Sequence, residues 1–421
     1  MGVHDDTHEI VGIDDPEKTQ KELWDLLNDG FKVNRNILSP DDIRIIEYED
    51  KNLIEVHVPR AERSKRPIYV NGNMDNGTYK RNGESDYHCT TEELAQLIRD
   101  SSESSQDSTI IDEMELDALD SQSIQSFRER MSKRNPTHPW NDKDDETFLK
   151  LISAISKSKS GEYHPTLAGL LMFGYDYSIM SILPNYHLDY FEFGDNGDNW
   201  TYRISTGTGE FTGNVYHFIT GVSTRISLMN QRGKEIEGVE RTDDTLLMRA
   251  QRELLVNAVV HADYRGNGGV RAEWHAGFFS VRNPGALRIP LAKMFEGGFS
   301  DPRNPHLSLM TGLIGFAERA GSGVCDTVNC CDRLGIPRPD YKETNNPTTV
   351  SVILKWKTPS DKDSIEDSLL SMIRANPRIS IDAMADSLNM GRSKTSRIVT
   401  ELKNKGKIQR IGGTRGRWEI L

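Results

Sequence analysis

One run constrains this chain more than any other: Arg252-Glu253-Leu254-Leu255-Val256-Asn257-Ala258-Val259-Val260-His261-Ala262-Asp263-Tyr264. Its leucines, valines and alanines predict a helix buried on most sides. Glu253, Asn257 and His261 fall at i, i+4 and i+8, so they stack along one face. Asn is a poor residue for a helix interior, and carboxylates are seldom buried without a partner. Two readings fit such a polar file. It is either the solvent-facing stripe of an amphipathic helix, or the wall of a site. In the second case the Asn257 amide oxygen would ligate Mg²⁺ and the Glu253 carboxylate would polarise a water.

At 421 residues the chain should hold about three domains. No apolar run approaches the ~20 residues needed to span a bilayer, and the first residues lack a basic-then-apolar leader pattern. No membrane partner is expected. Cys89, Cys325, Cys330 and Cys331 show neither C-x-x-C spacing nor a partnered His motif, so reduced thiols and a cytoplasmic location are expected. Charge is unevenly spread. From Asp363 to Leu421 there are 11 Lys and Arg against 7 Asp and Glu, a balance of +4; the whole chain is −12, so the remainder carries −16. An acidic body with a basic tail points to one localised nucleic-acid surface.

Residues 1–100 alternate turn signals with short β-rich runs. Leu53 to Val58 and Ile68-Tyr69-Val70 read as strands, and Thr90-Thr91-Glu92-Glu93 as a capped helix start. Residues 101–144 read as an acidic, solvated connector with some helix. Residues 145–176 read as helical and then β-like. Tyr186 to Phe193 alternates like a half-buried strand, and no Lys or Arg interleaves its aromatics, which favours core over a base-stacking platform. The G-x-x-x-x-G-K-[ST] phosphate loop does not occur, so helicase activity is not expected.

After a linker at Pro359 to Lys362, the tail (363–421) orders as helix, helix, turn, helix and hairpin. The third helix is expected to be capped by Ser393 and to end near Gly406; the hairpin tip is Gly412 to Gly416. This order resembles the winged helix-turn-helix family. Arg392, Ser393, Lys394, Ser396 and Arg397 would then face the major groove, with Lys403 beside them. Arg415 and Arg417 would reach phosphate or minor groove from the wing.

The pattern E-L-L-x-N-A-x-x-H at Glu253 to His261 resembles the N-box helix of the GHKL (Bergerat-fold) ATPases. Five segments in order resemble one bacterial family, the Schlafen/AlbA-type transcriptional regulators also labelled RecG-related. They are His164 to Gly174, Gly213-Asn214, Arg252 to Tyr264, Phe279 to Gly285, and Ser300-Asp301-Pro302-Arg303-Asn304-Pro305 followed by Glu318 to Gly323. The resemblance implies a multidomain α/β (α+β) chain. Its parts would be an N-terminally incomplete AlbA-like domain (1–100), the connector (101–144), a GHKL-like sandwich (145–357) and the winged helix (363–421). It implies ATP and Mg²⁺ as cofactors, with Glu253 catalytic, Asn257 the metal ligand, and His261, Asn283 and Gly285 at the nucleotide. GHKL proteins usually place Asp at the adenine contact where this chain has Asn283, which changes the donor pattern offered to the base. Gly321-Ser322-Gly323 resembles its phosphate loop, and Arg303 and Arg319 would either neutralise phosphate or pair with acids.

The expected function is an ATP-binding, DNA-binding transcriptional regulator whose nucleotide pocket modulates the winged helix, acting on double-stranded DNA as a dimer. The alternatives are an ATPase or nucleic-acid-processing enzyme of a defence or repair system, and a scaffold with a degenerate pocket. Nuclease activity is not expected, because the carboxylates used by RNA-cleaving Schlafen relatives lie mainly outside the matching portion.

Overall fold

The computed structural model describes the chain except residues 83–84, 195–198, 233–240, 317–322, 345–346, 357–365, 367–368, 371, 375, 389, 413–415 and 421. Near the start, β-branched residues flank the turn Glu49-Asp50, whose residues both take positive φ (49° and 60°). That turn geometry matches strand twist and joins β1 (Ile43–Tyr48) to β2 (Lys51–Val56) antiparallel. Helix α1 (Pro16–Asn28) packs against them, its first turn capped by Asp15 on the Lys18 amide at 3.0 Å. The strand expected at Ile68 to Val70 is reduced to a single bridge between Val70 and Val33. Beyond the short α2 (Met74–Gly77) come β3 (Tyr79–Asn82), β4 (Ser85–His88) and α3 (Thr91–Ser101). The last opens with the expected capping box of Thr90 and Glu93.

The acidic stretch after α3 is packed, not solvated. Asp107 is fully buried, and its carboxylate accepts the amides of His306 (2.8 Å) and Leu307 (3.1 Å). Those amides open helix Pro305–Leu313, where the orphan N–H groups and the dipole both favour an anion. Asp120, also buried, caps α4 (Ser121–Arg134) through the Gln122 and Ser123 amides. After α5 (Asp145–Leu151), β5 (Ile155–Lys157) and β6 (Tyr163–Pro165), the segment expected as β-like is instead helix α6 (Leu167–Phe173), with all seven residues buried. An apolar run buried all round has no period to separate helix from strand. Gly169 permits the helix: a Cβ there would lie 1.9 Å from the Ala154 carbonyl oxygen.

The main sheet has the order β11-β12-β10-β9-β7-β8. Its members are β7 (Leu188–Phe193), β8 (Trp200–Ser205), β9 (Val270–His275), β10 (Phe278–Pro284), β11 (Asp340–Thr344) and β12 (Thr349–Lys355). β7 and β9 run parallel, while the β7–β8, β9–β10 and β11–β12 pairs are antiparallel. Helix α7 (Asp176–Ile182) precedes the sheet, and α8 (Val215–Arg232) and α9 (Arg241–Val260) pack together and against it. Tyr190, Val270, Ala272, Phe279, Val281 and Leu354 supply the sheet's share of the core. Arg225 of α8 closes on the buried Glu192 of β7 at 2.7 and 2.5 Å.

The chain divides into two compact units, Met1–Leu354 and Lys355–Leu421. The expected boundaries at 100 and 144 fall inside the first. In the second, Leu369, Ile373, Met384, Ile398, Val399, Leu402, Ile408 and Trp418 form one core. Helices Ile381–Ser387 and Arg392–Asn404 and the hairpin β13 (Ile408–Ile411) and β14 (Arg417–Ile420) surround it. Among the described residues no helix is long and apolar enough to cross a membrane.

Replacing Asp107 by Ala should cost about 1–3 kcal/mol, the penalty of leaving buried donors unpaired. Denaturant unfolding followed by circular dichroism reads this directly, with Asp107→Asn losing less than Asp107→Ala.

Candidate functional site

From Glu253 to Ala262, across the end of α9, Glu253, Asn257 and His261 are half-buried and the other residues are buried. All three line one cavity that opens to solvent. The polar file therefore faces a cavity. The opposite wall is apolar sheet, from Val281, Val350, Val352 and Tyr341. Leu287, Arg288 and Ile289 form one rim, Phe299, Asp301 and Pro302 another, and Gly323 stands at the start of helix α12 (Gly323–Leu334).

The Asn257 amide nitrogen donates to Glu253 Oε1 at 3.2 Å, leaving the amide oxygen for a ligand. A Cβ on Gly323 would lie 1.8 Å from the same Glu253 oxygen, so only glycine lets the carboxylate approach this helix start. Burial first, and then the Glu253 charge, holds the Tyr341 hydroxyl above the ordinary tyrosine range. Burial, reinforced by Arg303 and Arg288 and opposed by Asp301, pushes His261 down to about 4, so it is neutral at pH 7. Asn283 is buried on the cavity wall, its amide donating to the Pro284 carbonyl at 3.1 Å.

Gly285 and Arg303 lie behind the wall. Arg303 is 2% exposed and binds Asp100 through Nε (3.0 Å) and Nη2 (2.7 Å). It also donates to the carbonyls of His261 and Ala286. Of its two sequence readings, pairing is the one the structure adopts, in place of a phosphate contact. Gly285 (φ 101°) turns where a Cβ would sit 2.6 Å from that guanidinium. Asn304 donates to the carbonyls of Val260 (3.1 Å) and Ala262 (2.8 Å), so the Arg303-Asn304 pair seals the C-terminal end of α9. Gly321, Ser322 and Arg319 lie outside the described residues. Arg288, Asp301 and Tyr341 were missed in the sequence; only Asp301 stood in a quoted motif.

In the second unit, Arg392, Ser393, Arg397, Lys403 and Arg417 are exposed and Ser396 is half-buried. The Lys394 side chain and Arg415 lie outside the described residues. Gly391, not Ser393, is the N-cap of helix Arg392–Asn404. Ser393 therefore sits inside the first turn, on the exposed side with Arg397. Arg392 pairs with Asp382 at 2.6 Å, and Lys405 and Lys407 both serve the buried Glu366 at 2.8 and 3.5 Å. Those two lysines brace the core, while the helix's early positions remain open to a partner.

The matches to known families follow this layout. Residues 1–90 match the Schlafen, AlbA_2 family, and 95–189 a domain of unknown function. Residues 278–353 match the family described as "Putative ATP-dependent DNA helicase recG C-terminal", and 363–409 the winged helix-turn-helix DNA-binding family. Helix α9 lies between matched segments, so the roles of its polar file rest on geometry and motif. The chain is similar to the crystal structure of the DIP2311 protein from Corynebacterium diphtheriae, with a TM-score of 0.46, 17% identity, and coverage of 100% of this chain and 71% of that one. Comparison with curated proteins gives no match. Fold and modules together define a class: a multidomain α/β protein joining an AlbA-type module, an ATPase-like region and a winged DNA-binding domain. Its segments match, in order, the Schlafen AlbA_2, recG C-terminal and winged helix-turn-helix families, the combination expected from the sequence.

The His261 shift carries a pH signature. Its folded pKa of about 4 lies below the unfolded value, so as pH falls the unfolded chain takes the proton first. The stabilisation is complete above pH ~6.5 and lost as pH falls towards 4. Between pH 7 and 5 this should remove about 2 kcal/mol of stability. Urea unfolding at the two pH values should show a smaller difference for His261→Gln than for the wild type.

Proposed function

We propose that this protein is a nucleotide-responsive DNA-binding regulator: the cavity on α9 takes ATP with Mg²⁺, and its occupancy biases DNA binding by the winged helix. The observation that carries the reading is the Glu253–Asn257–His261 file on a cavity whose other wall is apolar sheet. A purine ring suits Val281, Val350 and Val352, while Asn257 and Glu253 supply oxygens that suit a hard cation. Among the described residues no cluster of three His, Cys, Asp or Glu could hold a metal alone. The cation would therefore arrive with nucleotide phosphates, as Mg²⁺ commonly does. When bound, it would neutralise phosphate charge. The chain's own part is to present the Asn257 oxygen, to orient a water from Glu253, and to offer neutral His261 as a hydrogen-bonding group.

For occupancy to regulate, ATP must favour one DNA-binding state by differential contacts, and about 1–3 kcal/mol of coupling suffices. Calorimetric titration with ATP and Mg²⁺ should show binding that falls at least tenfold in Asn257→Ala; absence of heat in both folded proteins rejects the pocket assignment. The enzymatic alternative draws on the close approach of the Glu253 carboxylate, on α9, to the start of α12. DNA-stimulated phosphate release lost in Glu253→Gln would select it.

For the tail, roughly five phosphates neutralised predict a log K against log salt slope near −4 to −5. Arg397→Ala should weaken binding to duplex DNA and reduce that slope by about one if the contact is to phosphate. Fluorescence anisotropy across a salt series measures both.

A further inference from the structure

We propose that the N-terminal module completes the cavity, with Arg60 and Arg63 as positioning residues for its rim, so that ligand in the cavity and the loop carrying these arginines are linked. The inference rests on the nucleotide reading of the cavity. The segment from Ala286 to Pro302 supplies Leu287, Arg288, Ile289 and Asp301 to the wall. Its one described helix, α10 (Leu291–Glu296), has no side-chain cap. Besides Arg288, which holds Asp301 and Pro302 within the segment, what fixes it comes from elsewhere in the chain.

Arg63 Nε meets Asp301 Oδ2 at 3.0 Å, and its Nη1 is held by the carbonyls of Asp100 (2.6 Å) and Ser102 (2.7 Å). Asp301 also faces Arg288 Nε at 3.3 Å, while Arg288 Nη1 donates to the Pro302 carbonyl at 3.0 Å. Arg60 forks onto both oxygens of Glu343 at 3.3 Å, and Glu343 Oε1 in turn accepts the Leu287 amide at 3.1 Å. Of two cavity-lining residues, Asp301 thus meets Arg63 directly and Leu287 reaches Arg60 through Glu343. The forked guanidinium makes each contact directional.

The charge balance makes the arrangement responsive. Arg63, Arg288 and Arg303 share Asp100 and Asp301, so Asp301 serves two cations. Moving Asp301 leaves Arg63 and Arg288 without their shared counter-charge. A ligand that touches Arg288 or Asp301 alters what Arg63 is holding, and by linkage a change at Arg63 alters ligand affinity by the same factor.

The test uses the full chain, ATP with Mg²⁺, and the variants Arg63→Gln and Arg60→Gln. Calorimetry should show ATP binding weakened about fivefold or more in Arg63→Gln, with the ligand-free thermal midpoint close to wild type. Hydrogen exchange supplies the readout a merely structural role would not move: ATP should slow amide exchange in residues 59–67 of the wild type. Equal affinity in wild type and both variants overturns the inference while leaving the nucleotide reading standing. If the wild type binds no ATP, that reading alone fails. The inference is then decided without ligand: faster exchange across 286–301 in Arg63→Gln sustains it, and unchanged exchange overturns it. Should Arg63→Gln not fold, Arg60→Gln gives the same comparison through Glu343 and Leu287.

Discussion

The Arg303 guanidinium is the contact on which the first unit turns. It joins Asp100 at the end of α3 to the carbonyl of His261 after α9 and the carbonyl of Ala286 at the start of the cavity rim. A buried ion pair adds little net stability over a well-packed apolar alternative, yet removing one partner strands a charge in low dielectric. Its value here lies in what it fixes. A cation at the C-terminal end of α9 meets the negative pole of the helix, and Asn304 takes the carbonyls that the turn leaves open. The helix carrying Glu253 and Asn257, with His261 just past its end, is thereby held in place from behind. The forced glycine at 285 follows from the same guanidinium.

Legibility in the sequence tracked distance along the chain. The α9 file was readable because helical spacing is local, and the capping box of Thr90 and Glu93 is local too. The tail's order of helices and hairpin was readable from turn residues and apolar spacing; its two described helices and hairpin share one core, and much of the expected first helix lies outside the described residues. The acidic stretch failed because nothing local distinguishes Asp107 from its solvated neighbours; its partners lie about two hundred residues away. Arg303 had two readings of equal standing until Asp100 was placed beside it. Counting cations in the tail likewise overstated the free charge, since Lys405 and Lys407 fold back onto Glu366.

β7 shows the same limit in another form. No Lys or Arg interleaves its aromatics along the strand, which argued for core. In the sheet, however, Arg203 of β8 and Arg271 of β9 lie over Phe191 at 5.0 and 4.6 Å. Pairing across strands supplies what the strand itself lacks. The ring is nonetheless 8% exposed, with the two guanidinium groups packed against it, so the conclusion survives although its premise was one-dimensional.

The electrostatics of the cavity bear on what could enter it. Residues 1–362 carry −16, and the cavity wall itself presents Glu253 and Asp301 against Arg288, with His261 neutral at pH 7. A free nucleotide polyanion approaching this wall meets two carboxylates and one arginine already engaged with Asp301. At partial burial such like-charge contacts are costly, because solvent screens them poorly. A divalent cation carried in with the phosphates would reverse the sign of the interaction with Glu253, and the Asn257 amide would help hold it without adding charge. On the proposed reading the metal would therefore serve binding itself, before any question of hydrolysis, and the neutral amide at 257 would let the site accept it without deepening the negative field.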